Sequence, residues 1–548
     1  MKNTRSHAVL LLLAAFLIIT AAFARSSDLF FQIKKQLTIF SDVYKEVATQ
    51  YVDEVGPEEL MKRSILAMLD GLDPYTVFID EGEQQQIEIL SSGSYGGIGI
   101  EAGYRGDDIV IIAPLDGYPG QRAGLRPGDI IEQINNINVR DMSPEEVQLL
   151  TVGDVGSGIS VTIRRPGIDE SITFHLIRER IEVRNVNVAT RLGENDKFGY
   201  IQLSRFGQNA AEEVRQELAG MKRNGGLQGL ILDLRNNPGG LLHEAIELVD
   251  KFVEPGVTIV ETRGRLQAHN TTIATTEPVM FEDLPLVVLI NHGSASASEI
   301  VAGALQDLDR AVIIGENSFG KGLVQTIRPL AYNTSLKITI SKYYIPSGRS
   351  IQSIDYSHRD ADGNSNAILS PRRAFETKNG RVVYDGRGIE PDIRESEALS
   401  SLIDLALQRN NMYFFFMNDF IRDSGENQTD LPQDIFKRFT RYLIEQNFTF
   451  ETPADRHLNS LESNLQNFSK ESTALKNIEE LKALLRDYKI AQVYDNQAII
   501  QENLHREWIS QVLADKERNR AMLSIDKSVN RAIEVLEDRF QYQVVLMP

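Results

Sequence analysis

The feature that most constrains the fold is an alternation of short apolar segments with helical segments between residues 198 and 316. The apolar segments Gly229 to Leu234, Leu284 to Ile290 and Ala311 to Glu316 are each about as long as a buried strand. A loop rich in glycine or serine and then an amphipathic segment follow each of the first two. Strand–loop–helix order implies right-handed crossovers between parallel strands, so this region predicts an α/β core.

A β-rich segment precedes this core, over residues 92–180. Glycines cluster between Gly93 and Gly103, and short runs such as IVIIAPL and ISVTIRR follow. The length of roughly ninety residues is ordinary for one independent domain. Gly96-Gly97-Ile98-Gly99 lacks the G-x-G-x-x-G spacing and the following helix of a dinucleotide-binding loop, so no nucleotide site is predicted here.

The first 24 residues have the order of a secretory signal. Lys2 and Arg5 precede an apolar run from Ala8 to Phe23, and Ala22-Phe23-Ala24 gives the small-x-small pattern of a cleavage site. The alternative is an uncleaved anchor, because the run is only a little shorter than the roughly 20 residues that span a bilayer. Either outcome predicts an exported protein of the periplasm or cell envelope, and the second also predicts membrane association.

The two ends of the mature chain are predicted to be helical. Leu29 to Val55 is an amphipathic stretch, and Pro57 opens a second helix. Beyond about residue 456 glycine and proline are scarce, and apolar residues recur at helical spacing. The chain is predicted to divide into a signal peptide (residues 1–24), an N-terminal helical region (25–91), a β-rich domain (92–180), a core (181–400) and a helical C-terminal extension (401–548).

Composition excludes several classes of function. The formal net charge of −19 disfavours binding to nucleic acid or to anionic lipid, because phosphate groups would be repelled. The chain has no cysteine, which excludes disulfides, thiolate metal sites and a cysteine nucleophile. It also lacks an H-E-x-x-H motif, so a zinc protease is disfavoured and neither a metal nor another cofactor is expected.

Three loops near the predicted strand ends carry residues suited to acyl transfer. Ser296 precedes a helix, where unpaired N–H groups favour a developing negative charge, although a serine there is also a common N-cap. Lys321 lies between two glycines and would act as a base once desolvated, or be an exposed turn lysine. Gly239-Gly240 suits an oxyanion hole or a simple turn. Each loop alone is ambiguous.

Together, motifs in these regions resemble those of the C-terminal processing peptidases, also called tail-specific proteases. The resemblance spans residues 30 to about 400 and rests on five motifs: DLRNNPGG, GSASASEIVAGALQD, GENSFGKGLVQ, YYIPSGRSIQ and GIEPD. It implies a multidomain α/β protein with a crotonase-like βαβ protease core, an inserted PDZ domain, N-terminal helices and a helical C-terminal extension. Many relatives end soon after the last motif, so the long extension departs from the pattern.

The resemblance also implies roles for individual residues. Ser296, in preference to Ser294 or Ser298, would be the nucleophile, and Lys321 the general base and later the general acid. Gln325 would hold the lysine amine. The implied oxyanion donors are Gly239 or Gly240 together with Ala297. The loop implied to bind a peptide carboxylate consists of Gly97, Ile98, Gly99 and Ile100. Asp307 would be a supporting acidic residue, and His243 and His292 would have no catalytic role.

The implied activity is an ATP-independent serine endopeptidase that captures apolar or disordered protein tails through the PDZ domain. The alternative from another class is a binding scaffold on the same fold, which the presence of both Ser296 and Lys321 disfavours. A crotonase-like acyl-transfer enzyme would need a coenzyme A site, and no motif for one is recognised. The amphipathic terminal helices predict self-association, and the extension is compatible with an adaptor protein.

Overall fold

The structure is a computed structural model. It describes residues 29–82, 93–105, 108–140, 142–223, 225–358, 368–396, 401–424, 431–466, 473–513 and 515–548. The predicted signal peptide lies outside the described residues. Among the helices that are described, none is long and apolar enough to cross a membrane. The chain divides into two compact units, and the smaller takes in residues 29–81, 325–339 and the described part of 356–368.

The smaller unit contains the two N-terminal helices that the sequence predicts. They cover residues 29–50 and Pro57–Asp70. Pro57 occupies the first turn of the second helix, where its missing N–H leaves no donor unsatisfied. Strand Val77–Ile79 follows and pairs antiparallel with the beginning of strand Ser335–Tyr344. Large apolar side chains of the first helix are exposed, and the predicted self-association stays a prediction.

The β-rich segment forms one domain of the larger unit. Its strands are Ser94–Gly97, Ile100–Arg105, Asp108–Pro114, Ile130–Ile134, Ile137–Asn138, Gly158–Arg164, Ile172–Ile177 and Glu179–Glu182, and its helices are Pro119–Ala123 and Pro144–Thr151. The first and last strands pair with each other, whereas the others form one antiparallel sheet. Strand Ile100–Arg105 is an edge strand of that sheet, and helix Pro144–Thr151 packs beside it.

A six-stranded sheet, here called the central sheet, forms the core that the sequence predicts. Its order in space is Val186–Leu192, Phe198–Leu203, Gly229–Asp233, Leu286–Ile290, Val312–Gly315 and Ile393–Arg394. The first strand is antiparallel and the rest are parallel. Leu232 pairs with Val288, and Val288 pairs with Ile313. The loops after the two middle strands therefore meet at one edge of the sheet.

The two faces of the central sheet are covered by different parts of the chain. The front face, which includes Leu232 and Val288, packs against helices Ala210–Arg223, Leu242–Asp250 and Ala297–Asp307. The rear face includes Ile231 and Val287 and packs against helices Lys527–Glu537 and Arg539–Val545. We call Lys527–Glu537 the rear helix. Gly229 allows its close approach, because a Cβ there would lie 2.9 Å from Leu536 Cδ2.

The rest of the larger unit consists of several shorter strands and the helical C-terminal extension. The shorter strands of the larger unit are Thr258–Gly264, Thr271–Ala274, Ile354–Asp355, Ala374–Glu376 and Val382–Tyr384. Strands Leu323–Pro329 and Ile368–Leu369 are divided between the two units. The extension begins with helices Leu402–Arg409, Met412–Ser424, Ile435–Glu445, Pro453–Gln466, Thr473–Asp495, Gln497–Val512 and Asp515–Ser524. These helices build an aromatic-rich cluster of their own around Phe439 and Trp508, whereas the last two helices join the central sheet.

Candidate active site

Ser296 lies in a strained turn between strand Leu286–Ile290 and helix Ala297–Asp307. Its φ of 56° and ψ of −111° form a combination that non-glycine residues rarely adopt, and strain of this kind concentrates at functional sites. Ser296 is half-buried, whereas Ser294 and Ser298 are fully buried. Their hydroxyl groups donate hydrogen bonds to the carbonyls of the glycine-containing loop 234–240, at 2.8 and 2.9 Å. The three serines therefore differ in environment, and the middle one is the accessible one.

The buried carboxylate of Glu299 ties the serine turn to the lysine loop. It accepts hydrogen bonds from the backbone N–H of Ser296 at 2.8 Å, of Gly320 at 2.7 Å and of Lys321 at 2.9 Å. The hydroxyl of Ser318 donates a fourth, at 2.6 Å. Burial raises the pKa of Glu299 to about 7, and the four donors oppose that shift by stabilising the charged form. One side chain thus fixes both predicted catalytic residues.

Tyr343 makes a second connection between the same two residues. Its ring is buried, and its hydroxyl lies within hydrogen-bonding distance of the carbonyl oxygens of Ser296 and Lys321. Lys321 itself is half-buried, in the loop between strands Val312–Gly315 and Leu323–Pro329. The backbone N–H groups and the carbonyls of both catalytic candidates are therefore held by side chains that the sequence analysis did not single out.

The loop of residues 235–240, here called the glycine loop, lies against Ser296. A Cβ added to Gly239, whose φ is 97°, would lie 2.9 Å from both Ser296 Cβ and Ala297 N. Only glycine therefore permits this approach. The side chain of Asn237 braces the loop, because it donates to the Leu203 carbonyl at 2.8 Å and accepts from Gly239 N–H at 2.9 Å.

The predicted oxyanion donors differ in availability. The N–H of Gly239 is already bonded to Asn237. Among the described residues, no acceptor is found for the N–H groups of Gly240 and Ala297. Ala297 is the first residue of its helix, where the N–H groups have no partner within the helix and the helix dipole favours negative charge. These two N–H groups are the better-suited pair of donors.

The remaining predicted positions have identifiable contacts. Gln325 falls in the smaller unit, where its Nε2 donates to Thr339 Oγ1 at 3.2 Å, so its role beside the lysine stays a prediction. Asp307 pairs with Arg349 at 2.8 Å in the interior, and its supporting role stays a prediction. The exposed side chains of His292 and His243 lie 3.4 and 3.6 Å from glutamate oxygens.

The predicted carboxylate-binding loop, Gly97, Ile98, Gly99 and Ile100, leads into the edge strand of the β-rich domain. The carbonyls of Ile98 and Gly99 accept hydrogen bonds from Gly120 and Leu115, which fixes the backbone of the turn. Gly99 has a φ of 67°, and a Cβ there would lie 2.5 Å from Tyr118 Cβ. An edge strand beside a helix is the geometry that accepts an added peptide strand.

Three segments of the chain match models of known protein families. The model of peptidase family S41 matches residues 197–358, a PDZ domain model matches 110–165, and the C-terminal helical domain of probable PDZ-proteases matches 403–536. The chain is 39% identical to a carboxy-terminal-processing protease of Bartonella bacilliformis, over 58% of this chain and 73% of that protein. Identity to the carboxy-terminal processing protease CtpB of Bacillus subtilis is 31%, over 60% and 68% of the two chains.

Similarity extends to a solved structure, the photosystem II D1 C-terminal processing protease. It is 25% identical and covers 66% of this chain and 94% of that chain, with a TM-score of 0.35. The extent of identity to the two sequence relatives decides the family. The chain belongs to the carboxy-terminal processing protease family.

Membership of the carboxy-terminal processing proteases makes the chain a serine-type peptidase with a PDZ domain. The predicted fold class is confirmed: an α/β protease core, a PDZ domain, N-terminal helices and a helical C-terminal extension. Of the residues that the sequence analysis missed, Glu299 carried a recognisable signal, because Ser296 and Glu299 form the S-x-x-E pattern of a capping box. Tyr343 and Asn237 lie within the motifs YYIPSGRSIQ and DLRNNPGG that carry the family resemblance, but no local pattern indicates the contacts that they make.

Proposed function

We propose that this protease hydrolyses peptide bonds in exported proteins through an acyl-enzyme formed on Ser296, with Lys321 as the proton carrier. The observation that carries the proposal is the Glu299 carboxylate, which binds the backbone N–H of both residues. Two loops that are 25 residues apart in sequence (321 − 296) are thereby joined. A nucleophile and its base must be held together in this way for one to take the proton of the other.

The chemistry then follows in two stages. Lys321, neutral at the start, takes the hydroxyl proton of Ser296 as Oγ attacks the substrate carbonyl, and the N–H groups of Gly240 and Ala297 stabilise the oxyanion. The protonated lysine gives its proton to the leaving amine, which departs with the C-terminal fragment. A water molecule then attacks the ester carbonyl while Lys321 takes its proton. Lys321 passes this proton to Ser296 Oγ as the ester C–Oγ bond breaks, which regenerates the serine and releases the N-terminal fragment with a new C-terminal carboxyl group. No cofactor or ATP enters these steps.

Substrate selection is assigned to the PDZ domain. The loop of Gly97, Ile98, Gly99 and Ile100 would receive the C-terminal carboxylate, and the tail would add to the edge strand Ile100–Arg105. This arrangement favours apolar or disordered protein tails. Gln325 is proposed to orient the lysine amine. The signal-like first 24 residues support export to the periplasm or envelope, which fractionation of cells that express the full chain would test.

The testing experiment follows cleavage of an unstructured reporter protein that ends in small apolar residues. Ser296→Ala and Lys321→Ala should each lower kcat by at least about 10³-fold, because each removes a member of the proton-transfer pair. Ser298→Ala is the matched control. It removes a buried hydroxyl whose acceptor, the Asn237 carbonyl, keeps a donor from Ala295 N–H, so most activity should remain.

Two further arms test the finer parts of the proposal. Added ATP or a metal chelator should leave cleavage unchanged. A reporter ending in two aspartates should have a higher KM, because the apolar positions beside the carboxylate loop would no longer be filled. Cleavage by Ser296→Ala at the wild-type rate would overturn the nucleophile assignment, and equal KM for both tails would overturn the role of the PDZ domain.

A further inference from the structure

A buried ion-pair network connects the C-terminal helical extension to the glycine loop. Asp526, which caps the rear helix, accepts hydrogen bonds from Arg235 Nη1 at 3.2 Å and Nη2 at 2.8 Å. Arg235 is the first residue of the glycine loop. The contact joins residues that are 291 positions apart in sequence, and both side chains are largely buried, 12% and 16% exposed.

Arg235 is shared between this distant carboxylate and a local one. Its Nε and Nη2 donate to Asp233, at 3.0 and 2.6 Å, and Asp233 also accepts from the hydroxyl of Tyr200 at 2.7 Å. Asp233 is fully buried at the end of its strand. A guanidinium held by two carboxylates in a planar, bidentate arrangement has little freedom to rotate. Asp526 is one of the two carboxylates that restrain the guanidinium of Arg235.

The backbone next to Arg235 transmits its position to the active site. Asn236 adopts a left-handed conformation, with φ of 57°, and exchanges two hydrogen bonds with the side chain of Asn291, at 2.9 and 3.0 Å. Asn291 begins the loop that leads to Ser296. Gly239, which is three residues after Asn236 in the glycine loop, lies against Ser296. A shift at Arg235 would therefore move the oxyanion donor at Gly240 relative to the nucleophile.

We propose that Asp526 is a positioning residue for hydrolysis: by holding Arg235, it fixes the glycine loop in the geometry that stabilises the oxyanion. This inference rests on the proposed function and extends it to a residue outside the peptidase segment. The rear helix covers the rear face of the central sheet with Val529, Ala532 and Val535. Docking of the rear helix on the central sheet therefore also aligns the oxyanion hole, because it places Asp526 against Arg235.

The proposal has a regulatory consequence. Displacement of the rear helix from the sheet would withdraw Asp526 and slow hydrolysis, although Ser296, Lys321 and the PDZ domain are untouched. A positioning role of this kind affects the transition state more than the bound substrate, because the oxyanion exists only after attack. It therefore predicts an effect on kcat rather than on KM.

The test uses the full chain with Asp526→Asn. Asparagine keeps the size of the side chain and caps a helix as well as aspartate does, so the hydrogen bond from Val529 N–H, now 3.0 Å, can persist. The negative charge facing Arg235 is lost. We expect kcat to fall about tenfold with KM within twofold, because charge-assisted hydrogen bonds are about twice as strong as neutral ones. Affinity for a peptide boronate, which forms a tetrahedral adduct, should fall by a similar factor.

Glu537→Gln is the matched control. Glu537 is the last residue of the rear helix, whereas Asp526 precedes its first residue. The substitution removes the ion pair in which Glu537 lies 2.9 Å from Lys197. This variant should keep wild-type kcat and boronate affinity, and both variants should keep a melting temperature close to that of the wild type. A general loosening of the helix would instead affect the two variants alike.

The outcomes separate this inference from the proposed function. Wild-type kcat and boronate affinity in Asp526→Asn, with Ser296→Ala inactive, would overturn the positioning role and leave the proposed function intact. An equal loss of kcat in Glu537→Gln would also overturn it, because the loss would then follow from helix docking alone. Wild-type cleavage by Ser296→Ala would instead remove the proposed function on which the inference rests.

Discussion

Two of the three loops that form the candidate active site, the serine turn and the glycine loop, are anchored in contrasting ways. The turn at Ser296 is held by Glu299, three residues further along the chain, which also holds the lysine loop. The glycine loop is held through Arg235 by Asp526, from the C-terminal extension. The strands that carry the two loops are neighbours in the central sheet. The serine turn is therefore anchored by a nearby residue, whereas the glycine loop, in addition to its local contacts, is anchored by a distant part of the chain.

The electrostatics of the two anchors also differ. Among the described residues, the donors to Glu299 are neutral N–H and O–H groups, and burial raises its pKa to about 7. Asp233, behind the glycine loop, instead contacts the guanidinium of Arg235 directly. A buried carboxyl group whose pKa is raised to about 7 changes its protonation state near neutral pH. The local anchor is therefore sensitive to pH, and the remote anchor is an ion pair between Arg235 and Asp526.

The largest effect is expected from Glu299→Ala. It leaves three backbone N–H groups and the Ser318 hydroxyl without an acceptor in the interior, at a cost of about 3 to 5 kcal/mol in the free energy of unfolding. It also separates the serine and lysine loops, so kcat should fall at least about 100-fold. Urea unfolding and steady-state cleavage measure the two effects. Glu299→Gln keeps one acceptor oxygen and should lie between the wild type and alanine; equal values for all three would refute the anchoring role.

The next largest effect concerns the remote anchor. Leu536 of the rear helix is buried among Tyr200, Ile231 and Val287. Leu536→Ala should lower the free energy of unfolding by about 2 to 5 kcal/mol, because it leaves a cavity against the sheet. Glu534→Ala, on the exposed part of the same helix, should cost less than about 1 kcal/mol. Similar urea midpoints for the two variants would show that the rear helix is dispensable for stability.

This contrast explains what could be predicted from sequence. The strands, the front helices and the catalytic candidates follow from local patterns: apolar runs, loop glycines and motifs within a few dozen residues. Glu299 lay within such a pattern. Asp526 did not, because nothing in the periodicity of a C-terminal helix says which sheet face it will cover. The apolar residues that recur at helical spacing beyond residue 456 illustrate the limit, since they predict a helix but not its buried face. Helix Thr473–Asp495 forms, but of Leu475, Ile478, Leu481 and Leu485 only Ile478 is fully buried.

A smaller effect is expected from pH, through Glu299. The pKa is about 7 in the folded protein and 4.5 without the protein environment. Between these values the folded state binds more protons, so the free energy of unfolding falls as pH rises from 4.5 to 7 and levels off above 7. The contribution is roughly 3 kcal/mol, from 1.36 kcal/mol per pKa unit. It should appear as the difference between wild type and Glu299→Gln in urea titrations across this range; parallel pH profiles would contradict the raised pKa.

The smallest effect is expected from Tyr343→Phe, which tests the second connection between the serine turn and the lysine loop. The substitution keeps the buried ring and removes only the hydroxyl that lies beside the carbonyls of Ser296 and Lys321. Loss of one such hydrogen bond should cost about 1 kcal/mol. Glu299 still binds the N–H groups of both residues, so kcat should fall only about three- to tenfold, with KM unchanged. A loss as large as that of Glu299→Ala would mean that the carbonyl contacts, and not the carboxylate, set the distance between nucleophile and base.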